Sequence, residues 1–300
     1  MAANRNLRAD VCSYRSDHSS SAMSGPMLID STKGARVALH DLGGNGPTVL
    51  FCHANGFCGP MWQPVARELA SVAHCWALDF RGHGNSVSGP DEDYDWNGMA
   101  DDVLAAVDAL DPTPRLAAGH SLGGASILKA EQARPGTFDR AWVFEPVTIP
   151  GRTVPRDGVN MLAAIARMRR AEFESRQAAY DRYASKPPLS LFAPEALRAY
   201  VDHGLRDLPD GTVELKCAPD TEATIFENPD LEGFPRLVEV TTAVTVAVGT
   251  DTDPPAMAAP LVGEQLPNST LIRYDNLTHF GPLQDPPLIA AAIADALFGD

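Results

Sequence analysis

The chain has 300 residues, 44% of them hydrophobic and 21% charged, with a formal net charge of −15. That length and apolar content can bury a sizeable core, in one large domain or two smaller ones. The acidity repels phosphate backbones and anionic lipid surfaces, which argues against nucleic-acid and membrane-surface partners, and no apolar run reaches the length of a membrane span.

Residues 1–25 carry Arg5, Arg8, Asp10, Arg15, Asp17 and His18, then the polar run Ser19-Ser20-Ser21. They lack the apolar stretch of a secretory signal and read as a disordered leader. The five cysteines, Cys12, Cys52, Cys58, Cys75 and Cys217, show no disulfide framework. They read as reduced thiols of a cytoplasmic protein. Cys52 and Cys58 flank His53, but no second Cys/His cluster completes a tetrahedral set, so no metal is expected.

After the leader, residues 27–32 and 35–42 read as antiparallel strands around a Lys33-Gly34 turn. Residues 48–52 form a continuous apolar run, as in a strand buried on both faces. Helix and strand then alternate: a helix over 61–71, a strand over 75–78, a helix over 96–110, a strand over 116–119, a helix over 123–134 and a strand over 141–144. The helix over 96–110 is apolar at Trp96, Met99, Val103, Val107 and Leu110, and its Asp101, Asp102 and Asp108 read as a solvated face. This alternation predicts a mostly parallel sheet with helices on both faces.

Between 151 and 233 the rhythm changes. Helical stretches over 161–183 and 194–205 are separated by Pro187-Pro188, and no core strand is evident. The segment reads as an inserted, mostly helical cap, which leaves residues 26–150 and 234–300 as the core. The sheet rhythm returns with strands over 243–248 and 271–274 and helices over 256–266 and 287–298.

The chemistry centres on Gly119-His120-Ser121-Leu122-Gly123. A strand leads into this turn and a helix leads out, so it is a strand-to-helix bend with small residues on both sides of the serine. Such a bend lifts the Ser121 hydroxyl above the sheet and places it at a helix N-terminus, where developing negative charge is favoured. A nucleophilic serine needs a base. His279 is placed to be that base, in the loop between the last strand and the closing helix, because loops at the carboxyl ends of a parallel sheet face one crevice.

The chain order of nucleophile, acid and histidine on alternating strands and helices resembles the α/β-hydrolase family. His53-Ala54-Asn55-Gly56-Phe57 is similar to the family's oxyanion loop, with Ala54 where glycine is usual. Asp79-Phe80-Arg81-Gly82-His83-Gly84-Asn85-Ser86 is similar to its Asp-x-Arg-Gly-x-Gly-x-Ser signature. The resemblance covers residues 27–150 and 234–300 and implies an α/β fold with an inserted helical cap. It implies the backbone N–H groups of Asn55 and Leu122 as oxyanion donors. His53 and Arg81 read as braces of their loops. The acid that orients His279 has three candidates. The family's usual loop holds Asp251 and Asp253, and Glu145 ends the strand over 141–144. Asp253 precedes Pro254 and fits a helix N-cap, so Asp251 is favoured.

A serine at the elbow, in place of the aspartate of related epoxide hydrolases and dehalogenases, points to acyl transfer without a cofactor or metal. The expected activity is cleavage of a carboxylic ester, lactone or thioester through an acyl-enzyme on Ser121, acting on a small, mainly apolar molecule. A triad-retaining receptor with little turnover, an acyltransferase and a carbon–carbon bond hydrolase share the same residues. The oligomeric state is left open.

Overall fold

The computed structural model describes residues 25–148, 160–250 and 254–299. The expected leader, except Gly25, lies outside these residues. In chain order the first part holds β1 (Met27–Asp30), β2 (Arg36–Gly44), β3 (Thr48–Cys52), α1 (Gln63–Leu69), β4 (His74–Asp79), α2 (Trp96–Ala109), β5 (Leu116–His120), α3 (Leu122–Ala133) and β6 (Arg140–Phe144). The inserted segment follows with α4 (Met161–Arg167), β7 (Glu172–Phe173), α5 (Arg176–Ala184), α6 (Pro194–His203), β8 (Leu205–Asp207), β9 (Val213–Leu215) and α7 (Pro219–Glu227). The chain closes with β10 (Ala243–Val248), α8 (Pro254–Gln265), β11 (Ser269–Arg273), α9 (Gly281–Gln284) and α10 (Pro286–Phe298).

Eight strands form one sheet in the order β1-β2-β4-β3-β5-β6-β10-β11. β2 runs antiparallel to both its neighbours, and the pairings from β4 to β11 are parallel. The β1–β2 hairpin turns through Lys33 and Gly34, both at positive φ. β3 is buried along its whole length, as its unbroken apolar run requires. The two faces of the sheet carry separate apolar cores. Val103, Val107, Ile127 and Val246 belong to one; Trp62, Trp142, Ile289 and Ile293 belong to the other.

This strand order places a switch point in the sheet. From β3 the chain moves outward to β4, then returns to the opposite side of β3 as β5. The loops leaving the carboxyl ends of β3 and β5 therefore diverge from one crevice, where doubly wound sheets bind ligands. Cys52 pairs with Gly119, so the segment from His53 onward and the Ser121 turn leave the sheet side by side.

Two expectations need correction. The segment after residue 160 also holds a small antiparallel sheet, β7-β9-β8. Its strands are two or three residues long, too short to show an alternating pattern. The single helical stretch expected over 161–183 is two helices, and the Ser175 side chain caps the second by accepting from the Ala178 N–H at 3.1 Å. The layer packs on the carboxyl end of the main sheet: α6 touches the turn Gly59–Trp62, α1 and α9. Among the described residues, no helix is long and apolar enough to cross a membrane.

Candidate active site

Ser121 sits between β5 and α3 with φ 54° and ψ −112°, a strained conformation for a residue with a side chain. Three backbone bonds hold it there. Its N–H donates to Phe144 O at 2.9 Å, and its carbonyl accepts from Ala125 N at 3.0 Å and Val147 N at 3.3 Å. The flanking glycines are sterically required. A Cβ on Gly123 would lie 2.2 Å from the Cys52 carbonyl oxygen, and one on Gly119 would lie 2.7 Å from Gly123 C. Only glycines let α3 start this close to β3.

Across the turn from Ser121 stands a carboxylate–imidazole pair. His279 Nδ1 and Glu145 Oε2 are 2.6 Å apart. Glu145 is fully buried at the end of β6, with φ 43°. Its N–H donates to Ala247 O at 2.9 Å, and its second oxygen accepts from Gly249 N at 2.8 Å. Both carboxylate oxygens are thus engaged. The His279 loop is tied down from two sides. Gln284 Oε1 accepts from both the N–H and the hydroxyl of Thr278 at 2.8 Å, and His120 Nε2 approaches His279 O at 2.7 Å. Burial holds the His120 ring well below its ordinary pKa, and nearby His279 adds to this. His120 is therefore neutral, and its Nε2–H donates to that carbonyl.

Sequence order favours Asp251 as the partner of His279, whereas the structure brings Glu145 to the imidazole. Asp251 and Asp253 lie outside the described residues. Glu145 is a close neighbour because β6 and β10 are adjacent in the sheet, a pairing that sequence order does not reveal.

The loop after β3 stands beside Ser121. Among the described residues, neither the Asn55 N–H nor the Leu122 N–H has a hydrogen-bond partner. The loop rests on its histidines, as read for a brace. His53 Nδ1 lies 2.7 Å from Ala54 O, and its Nε2 accepts from Phe80 N at 3.2 Å. His83 Nε2 accepts from Gly56 N at 3.1 Å. Burial lowers both imidazoles, His83 to about 3. Beneath them, Asp79 Oδ1 accepts from Gly59 N at 2.6 Å, and its Oδ2 meets His40 Nε2 at 2.7 Å and Asn85 N at 2.8 Å. Burial alone would raise the Asp79 carboxyl, but His40, His53 and the Asn85 N–H outweigh it and bring it down to about 2.

Arg81 is a brace too, and its partner corrects another expectation. Asp102 is fully buried instead of solvated, and it bonds the Arg81 guanidinium at 2.7 Å. Asp102 follows Met99 by three residues, so the helical period places it on the flank of the apolar stripe, where the Arg81 segment packs against α2. Ser31 Oγ adds a bond to Asp102 at 2.6 Å, tying the first hairpin to the same cluster.

Several aromatic residues border the site. Phe280 packs on Phe57 and Phe192, with ring centroids 6.1 and 5.5 Å away. It thereby joins the His279 loop, the loop after β3 and the inserted layer. Phe173 and Phe192 are buried in that layer, whereas Met161 and Met168 are exposed. Arg169, Glu222 and Tyr200, which also meet the loop after β3, have no motif to single them out. Among the described residues, no group of His, Cys, Asp and Glu side chains is arranged to hold a metal ion.

The model of the alpha/beta hydrolase family matches residues 49–292. The non-heme chloroperoxidase of Streptomyces lividans is 28% identical over 274 residues, 84% of this chain and 92% of that protein. The N-formylmaleamate deformylase of Pseudomonas putida is 35% identical over 125 residues, and the chain spans only 46% of that relative's length. Among solved structures, an E-2-(acetamidomethylene)succinate hydrolase superposes with a TM-score of 0.74 at 20% identity, covering 90% of this chain and 98% of that one. At that identity the likeness speaks for the fold. With the family model spanning the sheet, the Ser121 turn and the His279 loop, the chain belongs to the alpha/beta hydrolase family.

Proposed function

We propose that the protein is a serine hydrolase that cleaves a carboxylic ester, lactone or thioester through an acyl-enzyme, with Ser121 as nucleophile, His279 as base and Glu145 as the orienting acid. The observation that carries this reading is the 2.6 Å pair of His279 and Glu145 beside the strained Ser121 turn. In the first half-reaction the Ser121 Oγ attacks the substrate carbonyl and His279 Nε2 takes its proton. The buried Glu145 carboxylate stabilises the imidazolium and fixes the tautomer with Nδ1 protonated. The N–H groups of Asn55 and Leu122 receive the oxyanion. Collapse expels the alcohol or thiol with the proton from His279. Water then attacks the acyl-enzyme by the same steps and frees the acid.

The inserted layer acts as a cap over this crevice. The aromatic contacts of Phe57, Phe192 and Phe280 support a mainly apolar acyl group. Among the described residues, Cys52, Cys58, Cys75 and Cys217 are buried free thiols, which supports a reducing, cytoplasmic setting.

The test is a fluorophosphonate probe together with a panel of short p-nitrophenyl esters and thioesters. Expected are covalent labelling at Ser121 and ester turnover, both lost in Ser121→Ala. A folded wild-type protein that neither labels nor turns over sinks the reading.

A further inference from the structure

The loop after β3 is held from two sides, and an ion pair stands against it on the cap side. On the core side, Gly56 N donates to His83. On the cap side, three contacts converge on residues 55–56. Asn55 Nδ2 donates to Glu222 O at 3.0 Å, and Tyr200 Oη donates to Gly56 O at 3.3 Å. The third is steric: a Cβ on Gly56 would lie 2.8 Å from Glu222 Cδ and 2.9 Å from an Arg169 terminal nitrogen. Gly56 has φ +79° and lies directly against the ion pair of Arg169 and Glu222. Arg169 donates to both partners, to the Glu222 carboxylate and to Tyr200 Oη at 2.5 Å. One guanidinium thus ties together α7, α6 and the segment that follows α4.

Stability is a poor explanation for this pair. Its side chains are 20% and 11% exposed, and Tyr200 is 2% exposed. Desolvation of each ion is costly, and apolar replacements of the same volume are often as stable. What a buried ion pair with a shared hydroxyl does supply is one fixed geometry. Here that geometry reaches the Gly56 carbonyl through the Tyr200 hydroxyl and the Asn55 side chain through the main chain of Glu222.

We propose that Arg169, with Glu222 and Tyr200, is a positioning device by which the cap sets the Asn55 N–H at the oxyanion, so that these residues act on kcat without touching substrate. This rests on the reading of Ser121 and Asn55 given above. Because an oxyanion donor acts in the transition state, losing its alignment lowers kcat and leaves ground-state binding nearly unchanged.

The experiment compares Arg169→Gln, Tyr200→Phe and the charge-balanced pair Arg169→Gln with Glu222→Gln, which keeps the test readable if the single charge deletion does not fold. Each is assayed on a short p-nitrophenyl ester and with a boronic acid that adds to Ser121 as a tetrahedral adduct. The expected result is a fall in kcat of about 10- to 100-fold with KM within about threefold, below the cost of deleting an oxyanion donor outright. Boronate affinity should fall in parallel, and Arg169→Lys should recover part of the loss. Folded variants with wild-type kcat overturn the proposal, as does a rise in KM at constant kcat, which makes Arg169 a substrate contact. Wild-type protein that neither labels at Ser121 nor turns over esters overturns the Ser121 reading and this proposal with it.

Discussion

Glu145 reaches His279 across 134 residues of sequence, and it does so with one oxygen already anchored. Its Oε1 takes the Gly249 N–H at the end of β10, which leaves Oε2 aimed at His279 Nδ1. Backbone thus fixes both the carboxylate, through the Gly249 N–H on Oε1, and the Glu145 main chain, through Ala247 O, before any substrate arrives. Such an acid can hold one imidazole tautomer and one ring orientation.

That arrangement ranks the carboxylates. Glu145→Gln should lower kcat by about 10²- to 10⁴-fold, as expected when the tautomer and orientation of the base are lost. Asp251→Asn should cost less. Steady-state kinetics on one ester decide between them, and a larger loss in Asp251→Asn refutes the Glu145 assignment.

The strained Ser121 backbone makes an unusual stability prediction. Ser121→Gly and Ser121→Ala should both be inactive, but the glycine variant should be the more stable of the two. Relief of a φ of 54° offsets about 1–3 kcal/mol, against roughly 0.5–1 kcal/mol for the added freedom of the unfolded chain. Thermal or urea unfolding of the two variants gives the sign.

Gly123→Ala should fail for a different reason. Its Cβ would lie 2.2 Å from the Cys52 carbonyl oxygen, with backbone on both sides of the clash. Loss of soluble folded protein, or a drop in unfolding free energy of about 3 kcal/mol or more, is the expected outcome.

The histidines under the loop after β3 predict steep acid sensitivity. Folded His83 takes a proton only near pH 3, whereas an ordinary histidine takes one near 6.5. Between those values the unfolded chain binds the extra proton, so stability falls as pH drops below about 6.5. Buried His53 and His120 are lowered too and add to the same slope. Asp79 adds a later loss as pH falls from the ordinary 3.8 toward its own value of about 2. Urea unfolding between pH 7 and 5 should show this fall. In His83→Gln the slope should be shallower by about 1 kcal/mol per pH unit averaged over that range, rising toward the roughly 1.4 kcal/mol per pH unit of one full proton only near pH 5.

Removing the partner of Arg81 should also cost stability. Asp102→Ala leaves a buried guanidinium uncompensated, a change worth about 3–5 kcal/mol. Both side chains are at most 2% exposed, so solvent offers little relief. A denaturant midpoint close to wild type would contradict the bracing role.

The sequence by itself determined the alternation of strand and helix, the elbow around Ser121 and the loop position of His279. Those features are local: apolar period, glycine spacing and chain order carry them. It could not determine which carboxylate meets His279, because that depends on β6 and β10 lying side by side, and strand order is settled by packing of the whole sheet. Asp102 was legible as an acid on an amphipathic helix, but its burial depends on a loop that folds over α2 and brings Arg81. Arg169, Glu222 and Tyr200 stand on three separate elements with no shared motif. Only the tertiary structure brought them to Gly56, because the free energy of a buried ion pair exists only once its members are folded together and shielded from water.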